Sequence, residues 1–176
     1  MALIRPLGGR SPRLHDSAFV AETAIVIGDV ELGAQSSIWF GCVLRGDIHH
    51  IRVGARTNIQ DQSVIHVTGG THPTSVGSDV TVGHRVTLHG CTVKDRCLIG
   101  MGSIVLDGAV IGEDALVGAG SVVPPGMVVP PGKLALGAPA RVKRDLTPAE
   151  IASLLVSAQS YVQRAQEYLA QGWTGR

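Results

Sequence analysis

The sequence predicts a parallel β-helix followed by one α-helix. Branched apolar residues return every six positions, glycines recur at the same points of that repeat, and the C-terminal part carries an apolar stripe at helical spacing. A period of six fits neither the 3.6-residue period of a helix nor the alternation of an amphipathic strand. It is typical of a β-helix, in which each short strand buries its face only by stacking on neighbouring coils.

The longest run of hexads covers the second half of this repeat region. Its leading positions are Val93, Ile99, Val105, Ile111, Val117, Val123 and Val129, and its fifth positions are Cys97, Ser103, Ala109, Ala115, Ser121 and Met127. Earlier leading positions are Val20, Val26, Leu32, Ile38 and Leu44, then Val53, Ile59 and Ile65, then Val76, Val82 and Leu88. A glycine-rich β-sandwich with scattered valines is the alternative, and seven successive hexads in one register disfavour it.

Composition agrees with a thin solenoid core. The chain has 176 residues, 23 glycines and only 3% aromatic residues, whereas ordinary globular cores use many aromatic side chains. The 15 basic and 14 acidic residues give a net charge of +1, which predicts no nucleic-acid or membrane-surface partner. No secretion signal follows Met1 and no apolar run could span a membrane. Cys42, Cys91 and Cys97 show no pairing pattern, which favours a reducing, cytoplasmic location.

The C-terminal segment predicts a helix instead of a further coil. Thr147, Pro148 and Glu150 have the spacing of an N-cap, a first helical position and a capping-box partner. Gly172 is a plausible stop, and the apolar stripe between consists of Ile151, Leu154, Leu155, Ala158, Val162, Ala165 and Leu169. We therefore expect a β-helix domain over residues 1–145 and, over 146–176, a helix that packs outside it or on a neighbouring subunit.

The hexad frame also places three histidines. Three six-residue faces make a coil of about 18 residues, so positions one coil apart stack at about 4.8 Å. Taking Val53, Ile59 and Ile65 as the leading residues of faces one, two and three, an excursion over residues 66–75 absorbs the extra residues before the next coil. His66 and His89 then each follow the leading residue of face three and should stack.

The frame puts the third histidine elsewhere. His84 comes two positions after Val82, the leading residue of face two, and lies one coil above Asp61. Arg45 extends the column of His66 and His89 on face three. Zinc takes three or four ligands, so the third histidine has to come from another molecule if all three bind one ion. Identical prisms around a three-fold axis would bring His84 of one subunit to the histidine pair of the next. Any one of these histidines alone is more often a solvated residue, but together in register they predict a metal site.

At these residues the chain resembles the γ-class carbonic anhydrase family. The resemblance is carried by Leu44-Arg45-Gly46-Asp47, Asn58-Ile59-Gln60-Asp61, His66, and Gly83-His84 to His89-Gly90-Cys91. It implies a left-handed parallel β-helix and a homotrimer, with a metal at each interface bound by His66 and His89 of one subunit and His84 of its neighbour. It also implies an ion pair between Arg45 and Asp61 across the interface, with Asp47, Asn58 and Gln60 close by.

The resemblance further implies the reversible hydration of carbon dioxide to bicarbonate by metal-bound hydroxide. Three neutral imidazoles leave the ion its full charge, which lowers the pKa of bound water to about 7. Zinc is the expected metal, with iron or cobalt as alternatives in the same site. Gln60 would orient the water or the substrate.

The chain departs from the family where protons would leave the site. Well-characterised members have a glutamate after the residue equivalent to Asp47 and another in an acidic loop, whereas this chain has Ile48 and a loop over residues 67–75 without a carboxylate. His72 and Tyr161 are the candidate proton carriers that remain. Two other functions stay open, namely a metal-binding family member with little hydratase activity and a hexapeptide-repeat acyltransferase with a histidine base.

Overall fold

The structure, a computed structural model, describes residues 1–175; the predicted C-terminal segment extends to Arg176, which lies outside the described residues. Its strands are short and its helix is single. In chain order the elements are β1 (Leu3–Arg5), β2 (Arg13–Leu14), β3 (Phe19–Val20), β4 (Ile25–Leu32), β5 (Ser37–Ile38), β6 (Val43–Val53), β7 (Asn58–Ile59), β8 (Val64–His66), β9 (Thr74–Val76), β10 (Thr81–Val82), β11 (Thr87–His89), β12 (Thr92–Val93), β13 (Leu98–Ile99), β14 (Ile104–Val105), β15 (Val110–Ile111), β16 (Leu116–Val117), β17 (Val122–Val123), β18 (Val128–Val129), β19 (Lys133–Gly137), β20 (Ala140–Asp145) and α1 (Pro148–Ala170).

The strands form the three faces that the hexads predict. Face three runs β17-β14-β11-β8-β6, face one continues from the bent strand β6 through β9, β12, β15 and β18, and face two runs β3-β5-β7-β10-β13-β16-β19. The ladders between coils are parallel, and β20 closes face two with an antiparallel pairing to β19. The predicted parallel β-helix, with about seven turns, is confirmed.

The leading hexad residues form the core. Ile59, Leu88, Ile99 and Val117 are each 0% exposed. Of the fifth-position residues, Met127 is only partly buried, and the buried ones are Cys97, Ser103, Ala109, Ala115 and Ser121. Because most of the strands are only two or three residues long, their inward apolar side chains are covered by the coils above and below them. The repeat is visible in the sequence because the side chain at each leading position points inward and is apolar.

Helix α1 packs on the outside of face two, against β3, β5, β7 and β10. Its start is the predicted capping box, in which the Thr147 hydroxyl accepts from the Glu150 backbone N–H and the Glu150 carboxylate accepts from the Thr147 N–H. Leu154, Ala158 and Ala165 of the predicted stripe are buried. The helix ends at Ala170 and is followed by Gly172 at φ +81°. Within residues 1–175, it falls short of the apolar length needed to cross a membrane.

Candidate metal centre

His66 and His89 stack on face three as the hexads predict. The ladder between β8 and β11 pairs the two residues directly, and His66 Nδ1 lies 3.1 Å from His89 Nε2. Leu44 pairs with Ile65 in the adjoining ladder, so Arg45 follows in the same column. The imidazoles lie at the end of their strands, where the chain leaves face three. The two side chains are 16% and 33% exposed, so both rings border solvent.

The outer nitrogen of each of these rings meets a carboxylate. His66 Nε2 lies 3.0 Å from Asp47 Oδ1, and His89 Nδ1 lies 2.6 Å from Asp107 Oδ1. Partial burial of Asp47 and Asp107 raises their pKa values, but hydrogen bonds outweigh this effect and hold both pKa values below the ordinary range. Ionised carboxylates can only accept, so each ring donates to its aspartate. A neutral His66 and a neutral His89 then turn lone pairs toward each other.

His84 lies on face two, as predicted. Val82 pairs with Ile59 between β10 and β7, which places His84 one coil above Asp61. His84 Nδ1 lies 2.8 Å from Asp61 Oδ2, and the His84 side chain is 41% exposed. This histidine therefore shares with the other two a ring nitrogen that meets a carboxylate.

Asn58 and Gln60 are buried near His84 and Asp61, under helix α1. Gln60 Nε2 donates to Asn58 Oδ1 at 3.0 Å, and Asn58 Nδ2 donates to Thr81 Oγ1 at 3.1 Å. Thr81 Oγ1 in turn lies 3.1 Å from Ser157 Oγ of the helix. The chain of polar contacts fixes the two amides, so that Gln60 has a defined orientation next to Asp61.

Tyr161 of α1 and Asp61 line one cavity of about 250 Å³ between the helix and face two. Burial raises the pKa of the Tyr161 hydroxyl, and the nearby charge of Asp61 raises it further. The Tyr161 ring also packs edge-on against Trp39, with 5.4 Å between the ring centroids. Trp39 belongs to an aromatic cluster with Phe19 and Tyr168 that holds the helix against face two. Tyr161 therefore packs between the helix and face two and also approaches Asp61.

The predicted ion pair of Arg45 and Asp61 joins two subunits, so a single chain cannot display it. Within the chain, Arg45 pairs with Asp47 and Asp61 pairs with His84. Both carboxylates lie beside histidines of the candidate site.

Sequence reasoning missed Asp107 and Thr68. Thr68 Oγ1 donates to Asp107 Oδ2 at 2.7 Å, while Asp107 Oδ1 accepts the hydrogen bond from His89 Nδ1. One signal was present, since Leu88 and Val93 are five positions apart and not six. At this shorter hexad, Gly90 lies against Asp107 of the next coil, and because glycine has no Cβ, the Asp107 carboxylate has room to reach His89.

The excursion between β8 and β9 folds over the end of face three. Its backbone closes through a bridge between Thr68 and His72, and His72 Nδ1 lies 2.9 Å from Thr71 Oγ1. His72 lies beside Asp107, whose pKa it helps to lower through its charge. Ile48 is 55% exposed and packs near Gly69. The proton-carrying role of His72 stays a prediction.

The candidate residues thus form two half-sites on one chain. Half-site A, on face three, contains Arg45, Asp47, His66 and His89, and half-site B, on face two, contains Asn58, Gln60, Asp61, His84 and Tyr161. Over residues 1–175, no three His, Cys, Asp or Glu side chains converge to hold a metal ion. Exposed apolar side chains flank both half-sites, with Val64 (41%) and Ile104 (37%) on face three and Met101 (58%) in the depression that contains His84.

Comparison with known proteins finds similar sequences among hexapeptide-repeat proteins and carbonic anhydrases. A family model described as bacterial transferase hexapeptide (six repeats) matches residues 90–125. A carbonic anhydrase of Geobacillus kaustophilus is 46% identical over 168 residues, which cover 96% of this chain and 92% of that protein. The mitochondrial gamma carbonic anhydrase 1 of Arabidopsis thaliana is 47% identical over 167 residues, and the chain spans 61% of its length.

Solved structures agree on the fold. A Bacillus cereus structure described as a candidate acetyltransferase superposes with a TM-score of 0.94 at 45% identity, covering 97% of this chain and 98% of that one. A hexapeptide transferase family protein from Anaplasma phagocytophilum gives a TM-score of 0.91 at 43% identity, covering 94% and 98%.

The repeat and the face topology define the class, which is that of the hexapeptide-repeat β-helix proteins. Within that class, the chain belongs to the γ-class carbonic anhydrase family, a family of lyases.

Proposed function

We propose that the chain is a metal-dependent carbonic anhydrase that hydrates carbon dioxide to bicarbonate at the subunit interfaces of a homotrimer. The observation that carries this proposal is the approach of His66 Nδ1 to His89 Nε2 at 3.1 Å, with an aspartate on the far nitrogen of each ring. Two neutral imidazoles in that arrangement face each other with lone pairs, which repel unless a cation lies between them.

The residues fit a zinc ion. Two nitrogens that bind one tetrahedral zinc at about 2.0–2.1 Å lie roughly 3.3 Å apart, close to the observed separation of the His66 and His89 nitrogens. Metal-binding histidines typically donate their other ring N–H to a carboxylate, as His66, His84 and His89 all do here. Imidazole also suits iron and cobalt, which are the alternatives for the same donor set.

The third ligand supports the trimer. His84 leaves the prism on face two, whereas His66 and His89 leave it on face three, so one ion can meet all three only between two subunits. The exposed apolar residues Val64, Ile104 and Met101 beside the half-sites suit burial in such an interface. A closed three-fold ring would use half-site A of each subunit and half-site B of the next.

The surrounding side chains would bind and orient the reactants. When bound, a divalent ion with an open position would supply hydroxide near neutral pH. Gln60 has its amide fixed by Asn58 and could donate to carbon dioxide or bicarbonate next to it. Arg45 would pair with Asp61 of the neighbouring subunit and hold the interface in register. His72, Tyr161 or an external buffer would carry the proton away, because the excursion over residues 67–75 has no carboxylate.

The test combines metal analysis with a stopped-flow hydration assay on untagged protein purified without chelator. We expect about one ion per chain, and a sharp loss of metal in His66→Ala, His84→Ala and His89→Ala, because a zinc site needs at least three ligands. Circular dichroism should show that each variant remains folded, since the core consists of other residues. His49→Ala, a histidine outside both half-sites, should keep its metal.

The same experiment measures the proton path. General acid-base assistance typically contributes about 10²- to 10⁴-fold, so hydration should be slow and should rise with the concentration of an imidazole-type buffer. If two of the three ligand variants keep full metal content, the site assignment is wrong. A fully metallated protein with no hydration above the protein-free rate would identify a family member without hydratase activity.

Acyl transfer is a second candidate because the matching family model and both superposed structures have transferase names. It would need a histidine base that is free of metal. Calorimetric titration of the metal-loaded protein with acetyl coenzyme A distinguishes the two functions, and we expect no binding.

A cytoplasmic location also remains a proposal, supported by the three free, buried cysteines Cys42, Cys91 and Cys97.

A further inference from the structure

We infer that Asp107 is a positioning residue that holds His89 in the tautomer and orientation needed for a metal ligand, with Thr68 locking the carboxylate. This inference rests on the proposed function and deepens it. Asp107 belongs neither to half-site A nor to half-site B, and it lies one coil beyond His89 on the same side of the prism.

The geometry leaves Asp107 little freedom. Its Oδ1 accepts a hydrogen bond from His89 Nδ1–H at 2.6 Å, and its Oδ2 accepts one from the Thr68 hydroxyl at 2.7 Å. A charge-assisted hydrogen bond of this length is stronger than a neutral one, so His89 is held with its proton on Nδ1. The lone pair is then on Nε2, the nitrogen that faces His66.

Two glycines make room for this contact. Gly90 has φ +58°, and a Cβ added there would collide with Asp107 Oδ1 and lie 2.8 Å from His72 Cβ. A Cβ at Gly108 would lie 3.3 Å from His72 Nε2. The surface between His89 and the next coil is thus shaped to admit the Asp107 carboxylate and the His72 ring.

The contact also links the excursion to the candidate metal ligand. Thr68 lies in the excursion between β8 and β9, whose backbone closes from Thr68 to His72. Because Thr68 is hydrogen-bonded to Asp107 and Asp107 to His89, the position of the excursion constrains the imidazole. Loss of the Thr68 hydroxyl should therefore weaken the site through its effect on Asp107.

The test measures zinc affinity by competition with a chromophoric chelator and the His89 tautomer by long-range ¹H–¹⁵N NMR on metal-free protein. Removal of such an outer partner typically weakens metal binding about 10- to 100-fold. We expect that loss in Asp107→Asn, and a shift of the His89 proton toward Nε2, because an amide can donate to Nδ1. Thr68→Val should lose part of the affinity, and Thr68→Ser, which keeps the hydroxyl, should restore it.

Asp114→Asn is the matched control, because Asp114 follows in the same coil but pairs with Arg96 away from the histidines. It should keep wild-type affinity. Affinity of Asp107→Asn within twofold of wild type, or a wild-type His89 protonated on Nε2, would overturn the inference while the carbonic anhydrase proposal stands. If wild-type protein binds no zinc, the proposed function fails, and the His89 tautomer in wild type and Asp107→Asn still decides whether Asp107 holds the ring.

Discussion

At the scale of single residues, Gly90 shows how closely the backbone and the candidate site are matched. Gly90→Ala would place a side chain on a left-handed backbone, which costs roughly 1–2 kcal/mol, and would also displace Asp107 and His72. Gly126 lies at the same corner of the prism with φ +69° and has open space around its Cβ position. We expect Gly90→Ala to lower the thermal midpoint more than Gly126→Ala and to weaken zinc binding, whereas Gly126→Ala should bind zinc normally. Equal effects of the two variants on midpoint and affinity would contradict this account.

Among single residues, the sequence could place the three candidate histidines on their faces, but it did not reveal the contact of His89 with Asp107. The positions of His66, His84 and His89 were predictable because each follows a leading hexad residue by one or two positions, and the frame assigns each leading residue to a face. The short hexad after Leu88 is visible in the sequence, but the contact of Asp107 with His89 also depends on the path of the excursion, which brings Thr68 to Asp107 and which the sequence does not show. Neither effect is part of a regular period.

At the scale of elements, one corner of the β-helix carries alternating charges on left-handed residues. Arg56, Asp79, Arg96 and Asp114 all have positive φ. Their ion pairs join Arg56 to Asp79 at 2.6 Å and Arg96 to Asp114 at 2.8 Å, between successive coils. Glycine would fit each backbone position more easily, so the charges stabilise coil stacking at the expense of local strain.

This corner predicts an unusual order of stability. Arg56→Ala and Arg56→Gly both lose the ion pair, but only glycine relieves the strained backbone, so Arg56→Gly should be more stable than Arg56→Ala by about 0.5–1 kcal/mol. Arg52 is the control, because it forms an ion pair with Asp29 from within strand β6. There Arg52→Ala should be the more stable variant. Urea unfolding of the four variants measures both orders, and the same order at both positions would refute the role of the left-handed corner.

The secondary-structure elements were more predictable than the way in which they pack against one another. The hexads predict the faces because inward side chains must be apolar in every coil, and the capping box predicts the start of α1 because Thr147 and Glu150 satisfy each other's backbone. The surface on which α1 packs was left open between its own β-helix and a neighbour. Face two receives it because the aromatic residues Phe19 and Trp39 on that face meet Tyr168 of the helix.

At the scale of the whole molecule, the two half-sites lie on different faces of one prism, and neither contains all three histidines. In the proposed trimer, face three of each subunit would meet face two of the next around a three-fold axis. In the proposed ring, the exposed apolar side chains beside both half-sites would be buried. It also means that the metal, if shared, binds only the assembled protein.

Mixed trimers test this arrangement directly. His66→Ala subunits keep His84, and His84→Ala subunits keep His66 and His89, so neither variant alone can assemble a complete site. If the two are unfolded together in equal amounts and refolded as a mixture, random assembly around a three-fold axis should restore about one quarter of the interfaces. Zinc content and hydration should both rise to about that fraction of wild type. Mixing without refolding provides the control, and no recovery in verified mixed trimers would show that the histidines do not meet across the interface.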